Sequence, residues 1–248
     1  MPPLSTALDA VRDMVDRLRL GPLAGRVSAA DLRRIRRVRS EHLTYLTLGK
    51  AASLVAHCRE VEAAGLPGIF VEAGCALGGS TILMATAKTS GRRLDVHDVF
   101  ERIPSPTAED TPDAHERFRT IAGGQSVGIG GDTYYGYREN LQEIVTANLN
   151  RHGIDPDRDH VRLVRGLVED TLVTDEPVAI AHVDVDWYQP VMTSLRRIVP
   201  RLVAGGSVII DDYHDWGGCR KATDEFLGEC PAHVTVHDAA GSLKITRR

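Results

Sequence analysis

Acidic residues recur where short apolar runs end. The run "IFVEAG" carries Glu72, "RLDVHD" ends on Asp98, "VAIAHVDVD" on Asp184 and Asp186, and "SVIIDDY" on Asp211 and Asp212. A fifth run, "HVRLVRG", ends on Gly166, with Glu169 and Asp170 just beyond. Carboxylates that converge in a partly buried cleft repel one another, and desolvation adds to the cost. A bound cation or hydrogen-bonding hydroxyls would relieve it. Any one of these acids could instead cap a helix or sit in its first turn. Asp184, Asp211 and Asp212 taken together read as hard oxygen ligands for a divalent cation such as Mg²⁺ or Ca²⁺. Asp186 is open between that group and a capping role. No His or Cys has the spacing of a structural zinc site.

The first of these acids opens a glycine turn, "VEAGCALGGST" (71–81). Its spacing is E-x-G-x-x-x-G, not the G-x-G-x-x-G that holds a dinucleotide pyrophosphate at a helix N-terminus. An acid ahead of the glycines makes a poor anion site. It suits a cationic ligand such as S-adenosylmethionine, whose sulfonium and ammonium groups call for carboxylate and backbone acceptors. Asp98, at the end of the next run, suits that ligand's ribose hydroxyls.

These residues need a scaffold that brings the run ends to one edge. Residues 4–66 read as helical, with Leu4, Leu8, Val11, Val15 and Leu18 at helical spacing, Ser28 and Asp31 at a helix start, and Gly65 at a helix end. From residue 69 the pattern becomes strand and helix in alternation. Strands are expected at 69–73, 93–98, 160–166, 178–186 and 207–213, and helices near 79–89, 138–152, 190–203 and 218–229. The tail "AHVTVHDAAGSLKITRR" alternates like two strands around Ala239–Gly241. Such alternation implies a mostly parallel sheet with helices on both faces and ligands at the carboxyl ends of the strands. Residues 99–137 fit neither pattern. They are rich in glycine, hold Tyr134, Tyr135 and Tyr137, and leave the ligand edge, so they read as a lid.

Composition narrows the class. Of 248 residues 42% are hydrophobic and 26% charged, and the net charge is −4, which is ordinary for a globular protein and gives nucleic acid no broad basic surface. The basic block "DLRRIRRVRS" (31–40) reads as the solvated face of a helix. Cys58, Cys75, Cys219 and Cys230 form no C-x-x-C pair, and the N-terminus lacks a signal-peptide apolar core. No run approaches a membrane span, so a cytoplasmic protein is expected.

Four blocks resemble the macrocin O-methyltransferase family, the metal-dependent sugar O-methyltransferases of antibiotic biosynthesis. They are "GIFVEAGCALGGSTILMA", "HDVFERIPSP", "LVRGLVEDTL" and the long "AHVDVDWYQPVMTSLRRIVPRLVAGGSVIIDDYHDWGGCRKATDEF", within about residues 50–230. The resemblance implies a class I S-adenosylmethionine-dependent methyltransferase fold with a mostly parallel seven-stranded sheet. It implies an N-terminal helical extension over 1–67, and a Rossmann-like domain over 68–248 with the lid at about 100–137. It assigns Asp184, Asp211 and Asp212 to Mg²⁺, and Glu72, Ala73, Gly74, Ser80, Asp98, Gly166, Val168, Glu169 and Asp184 to the cofactor. The chain departs from the family at "HDVFERIPSP", which lacks the usual serine and glycine, and at "DWYQPVMTSL", which puts Trp187 and Pro190 beside the metal.

The implied reaction is methyl transfer to a sugar hydroxyl of a glycosylated small molecule, in a homo-oligomer that binds neither nucleic acid nor membrane. A cation lowers the hydroxyl's pKa and a base takes its proton. Catechol-type relatives carry a lysine at the position of Trp187, so the candidate bases are Asp184 and then His214. Tyr134, Tyr135, Trp187 and Trp216 are candidates for contact with the acceptor. A phenolic or catechol acceptor is the alternative within the same chemistry. A non-catalytic S-adenosylmethionine-binding protein is the alternative outside it.

Overall fold

The computed structural model describes residues 4–229 and 233–248, without the side chains of residues 4–10. Cys230 lies outside the described residues, while Cys58, Cys75 and Cys219 are buried free thiols. No helix among the described residues is long and apolar enough to cross a membrane.

Among the described residues three α-helices precede the first strand: α1 (Leu4–Leu20), α2 (Ala29–Ser40) and α3 (Leu48–Ala63). The basic block forms α2, which turns Leu32, Ile35 and Val38 inward and leaves Arg33, Arg37 and Arg39 exposed. Ser28 caps it as expected. The Asp31 N–H donates to Ser28 Oγ at 3.0 Å, and the Ser28 N–H donates back to the Asp31 carboxylate at 3.0 Å, a reciprocal capping box. Helix α3 is buried on nearly every face. It ends where Gly65 takes a left-handed φ of +63°.

The strands are β1 (Ile69–Ala73), β2 (Leu94–Asp98), β3 (Val161–Arg165), β4 (Val178–Val183), β5 (Leu202–Ile210), β6 (Val234–Asp238) and β7 (Leu243–Arg247). They form one seven-stranded sheet in the order β3-β2-β1-β4-β5-β7-β6. The first five are parallel, and the tail adds the antiparallel hairpin β6–β7. The chain steps outward from β1 through β2 to β3, then returns to place β4 on the other side of β1. That reversal is the switch point of an open α/β sheet, where the ends of β1 and β4 leave a crevice.

The remaining helices are α4 (Gly79–Ala87), α5 (Pro112–Ala122), α6 (Leu141–Arg151), α7 (Val168–Thr171), α8 (Tyr188–Ile198) and α9 (Gly217–Glu229). Two expectations shift here. Strand β5 begins at Leu202 rather than 207, because Gly205 and Gly206 let the backbone run close to β4; a Cβ at Gly206 would lie 3.0 Å from Ala179 O. The segment expected to be irregular contains α5. Its signals are short: Pro112 sits in the first helical turn after Thr111, and only Ala114, Phe118 and Ile121 face inward.

Candidate active site

Two cavities meet at the switch point. The first, of about 330 Å³, is lined by Gly74, Asp98, Leu167, Val168, Glu169, Asp184 and Asp186, and by Ile103, Pro104, Asp110 and Trp187 among others. Six of its lining residues are acids: Asp98, Glu101, Asp110, Glu169, Asp184 and Asp186. Among the described residues no lysine or arginine lines it. Its one imidazole, His97, is pushed down to about 4 by burial, so it is neutral near pH 7. A cavity with apolar walls, acids and no cationic side chain suits a cationic ligand and repels phosphates.

Gly74 follows β1 with a φ of +83°, and a Cβ there would stand 1.9 Å from Asp184 O. The backbone of β1 therefore backs directly onto the first acid of β4, a distance only glycine permits. Gly78 has a φ of +85° at the N-terminus of α4. Gly79 serves a different contact. Its N–H donates to Leu43 O at 3.0 Å, and a Cβ would meet that oxygen at 2.4 Å. The second half of the glycine motif thus seats the N-terminal extension.

The acids of β4 and β5 come together because these strands are parallel neighbours with Val183 opposite Ile210. Asp184 and Asp211 are the next residues on each. Asp186 takes a positive φ of +56°, which an aspartate tolerates, as the chain leaves β4 for α8. It does not cap α8; the Tyr188 N–H donates instead to Asp110 Oδ1 at 2.7 Å. Ligand atoms of Asp184, Asp186 and Asp212 lie within 4.8 Å of one another, and so do those of Asp211, Asp212 and Asp215. Asp212 belongs to both groups. It is 7% exposed, and its Oδ2 has no hydrogen-bond partner. Burial, then the charges of Asp184, Asp186 and Asp211, hold its carboxyl well above the usual range. Burial and Asp211 push Asp184 up to about 7. Asp211 is shifted the other way despite burial, because His182 and Lys50 offset its charge and Ser242 donates to it.

The second cavity, of about 420 Å³, shares Gly74, Asp98, Tyr135, Asp184 and Asp186 with the first. Its other walls are Tyr45, Thr47 and Lys50 from the N-terminal extension, Arg117 and Ile121 from α5, and Ala76, Tyr134, Asp211, Asp212, Asp215 and Trp216. The segment carrying α5 is tied across the site. Asp110 holds the start of α8, the Gly217 N–H donates to Asp113 at 3.0 Å, and the Trp187 indole N–H donates to Pro104 O at 3.0 Å.

Of the residues expected to touch cofactor, Gly74, Asp98, Val168, Glu169 and Asp184 line the first cavity, whereas Glu72, Ala73, Ser80 and Gly166 do not. Glu72 is fully buried beneath it, accepting from Thr81 Oγ1 and pairing with His182 Nδ1 at 3.3 Å. Asp98 accepts from the Cys75 and Phe100 N–H groups, each at 2.7 Å, and so holds the glycine turn against β2. Tyr134, Tyr135 and Trp216 line the second cavity, while Trp187 lines the first with its ring 5.7 Å from that of Trp216. The structure brings Asp184 and Asp212 together and adds Asp186, with Asp211 in the outer group. His214 lines neither cavity; its Nε2 lies 3.6 Å from Asp238 and its side chain is 45% exposed. Sequence reasoning missed Tyr45, Thr47, Lys50 and Arg117, which lie outside the strand ends.

Residues 40–231 match the sequence profile of the family described as Macrocin-O-methyltransferase (TylF). The 8-demethyl-8-(2,3-dimethoxy-alpha-L-rhamnosyl)-tetracenomycin-C 4'-O-methyltransferase of Streptomyces olivaceus is 34% identical over 180 residues, 69% of this chain and 63% of that protein. Mycinamicin III 3''-O-methyltransferase of Micromonospora griseorubida is 30% identical over 184 residues, 68% of this chain and 65% of that one. The chain thus spans a little under two thirds of the length of these relatives. The solved structure of the O-methyltransferase NovP superposes with a TM-score of 0.68 over 83% of this chain and 82% of its own, at 24% identity. An O-methyltransferase from Bacillus cereus in complex with SAH gives a TM-score of 0.52 over 89% and 92%, at 15% identity. At these identities the likeness concerns the fold, which is that of the class I S-adenosylmethionine-dependent methyltransferases.

Proposed function

Because the chain belongs to the macrocin-O-methyltransferase family, we propose that it methylates a sugar hydroxyl of a glycosylated small molecule, using S-adenosylmethionine and a divalent cation such as Mg²⁺. The observation that carries this reading is the junction of the two cavities at Asp184 and Asp186. A donor on one side and an acceptor on the other would face each other there. The name of the Streptomyces olivaceus relative specifies a rhamnosyl compound as the molecule methylated, which supports a sugar acceptor.

The acidic first cavity fits S-adenosylmethionine. Leu167, Val168, Ile103 and Pro104 offer apolar surface to its adenine, and Asp98 and Glu169 offer acceptors. Bound there, the cofactor supplies a methyl group for in-line displacement. The orphaned Oδ2 of Asp212, facing Asp184 and Asp186, fits a hard cation, which would lower the pKa of an acceptor hydroxyl. Asp184 and Asp186 open on both cavities and are placed to take the hydroxyl proton. Tyr134, Tyr135 and Trp216 present ring faces and edges to a sugar. The buried Glu72–His182 pair acts beneath the site: His182, pushed up to about 10, is a fixed positive charge that offsets part of the acidic cluster.

The segment 100–137 would act as the lid, since its ties to α8 and α9 close over both cavities. Hydrogen exchange should show this segment protected with S-adenosylhomocysteine and opening without it. Equal protection in both states would make it fixed structure. In α1, Val11, Met14, Val15 and Leu18 are exposed at helical spacing, which supports contact between copies of the chain. The acceptor is tested with labelled S-adenosylmethionine and paired acceptors. Transfer to glycosides over matched phenols is expected, and transfer to catechols alone would establish the phenolic alternative. Binding of the cofactor without transfer to either would establish a non-catalytic role.

A further inference from the structure

Arg117 of α5 lines the second cavity and has no part in the chemistry given above. We propose that Arg117 determines acceptor specificity: its guanidinium donates to a hydroxyl of the acceptor sugar beside the one that is methylated, and so selects which hydroxyl meets the methyl group. This inference deepens the sugar-acceptor reading and rests on it.

The guanidinium is presented but unused. Among the described residues the cavity is lined by two cationic side chains, Lys50 and Arg117. Lys50 Nζ is already engaged, 3.1 Å from Asp211 Oδ2 and 2.6 Å from Asp215 Oδ2. Arg117 has neither a hydrogen bond nor an ion pair among the described residues. Its Cζ lies over the ring of Tyr134, 5.5 Å from the centroid. An arginine held on an aromatic face keeps its N–H donors for another partner. The shelf under it is fixed. Tyr134 is 3% exposed, and Gly136 is bare because a Cβ there would lie 2.8 Å from Tyr134 Cε1. The Tyr137 ring packs edge-on against Tyr134 at 5.1 Å, and its hydroxyl donates to Ile121 O at 2.6 Å, one turn beyond Arg117 on α5. Helix and tyrosine turn therefore hold the guanidinium as one unit.

Its position and surroundings say what it would bind. Burial raises the Asp186 carboxyl, and the charge of Arg117 works against that rise across the cavity. The guanidinium thus faces the junction where transfer would occur, within reach of the sugar ring rather than of a distant aglycone. A planar fork of N–H donors fits a carboxylate, a phosphate or a pair of neighbouring oxygens. The same walls carry Asp98, Asp184, Asp186, Asp211, Asp212 and Asp215, which oppose an anion. A neutral pair of ring oxygens remains. Donation from a fixed charged group to one of them sets the rotation of the sugar, and with it the hydroxyl presented to the donor.

Transfer from labelled S-adenosylmethionine to methyl glycosides of L-rhamnose, L-fucose and D-glucose, each with its monodeoxy analogues, tests this. For a glycoside that the wild-type chain methylates, removing one hydroxyl beside the methylated one should lower kcat/KM about tenfold or more. Arg117→Met should lose a similar factor on the intact glycoside, mostly through KM, and removing that hydroxyl should then cost it less than about twofold. Arg117→Lys keeps the charge but not the fork, and should behave like Arg117→Met. Cofactor affinity and melting temperature should stay near wild type in both. The Lys variant keeps the test open if Arg117→Met fails to fold. Losses from arginine and hydroxyl that simply multiply, recovery in Arg117→Lys, or an unchanged KM overturn the assignment and leave the sugar reading intact. A wild-type chain that transfers to none of the glycosides overturns both.

Discussion

Asp184→Asn and Asp212→Asn should each lower kcat at least a hundredfold, roughly 2.7 kcal/mol of barrier, with S-adenosylmethionine affinity kept within severalfold. Both substitutions keep the shape of the side chain and remove its charge. At Asp212 the carboxylate lost is a buried one whose Oδ2 has no hydrogen-bond partner. At Asp184 it is the one that opens on both cavities. The stability effect should run the other way. Burial and Asp211 push Asp184 up to about 7, above the 3.8 of an ordinary aspartate. A carboxyl raised in this way favours the folded chain when protonated, and that contribution is lost as pH rises from about 4 to about 7. In chelated protein, Asp184→Asn should therefore raise the melting temperature more at pH 8 than at pH 5. Thermal scans at the two pH values, together with single-turnover transfer, check both halves. A variant that kept near wild-type kcat would remove Asp184 from the chemistry.

Gly74→Val is expected to weaken S-adenosylmethionine binding by well over tenfold, more than about 1.4 kcal/mol, and to destabilise the fold. A Cβ at this position meets Asp184 O at 1.9 Å and Val185 Cγ1 at 3.1 Å, and the φ of +83° is strained for any side chain. Relief requires β1 and β4 to part at their carboxyl ends, and these ends frame the crevice. Gly79→Ala isolates the other half of the motif. It presses on Leu43 and Thr44, so it should lower stability with a smaller effect on cofactor affinity in the protein that stays folded. Calorimetric titration with the cofactor checks the pair. Normal cofactor affinity in folded Gly74→Val would show that the glycine turn does not border the cofactor.

The sheet was legible because its strands are short, apolar and bounded by acids or glycines, and because the spacing of β1 to β5 left room only for crossover helices. The tail alternation around Gly241 yielded the hairpin β6–β7 for the same reason. Helix α5 was obscured by its length and by having only three inward residues. In the site, Asp184, Asp212 and Gly74 were readable as strand-end residues. The inward burial of Glu72 was not, since an acid one residue before the end of β1 can point to the crevice or beneath the sheet. The pairing of Glu72 with His182 depends on β1 and β4 being neighbours with Glu72 opposite His182, a register that spans 110 residues. Lys50 was hidden for a related reason. It lies 161 residues before Asp211, on a helix whose pattern reads as core.

The measurement that bears most directly on the account is methyl transfer from labelled S-adenosylmethionine to a glycoside acceptor in EDTA, then after Mg²⁺ is restored. The acidic junction predicts transfer that vanishes with the chelator and returns with the cation, while cofactor binding measured in the same EDTA buffer stays within severalfold. Transfer at full rate in EDTA would contradict it.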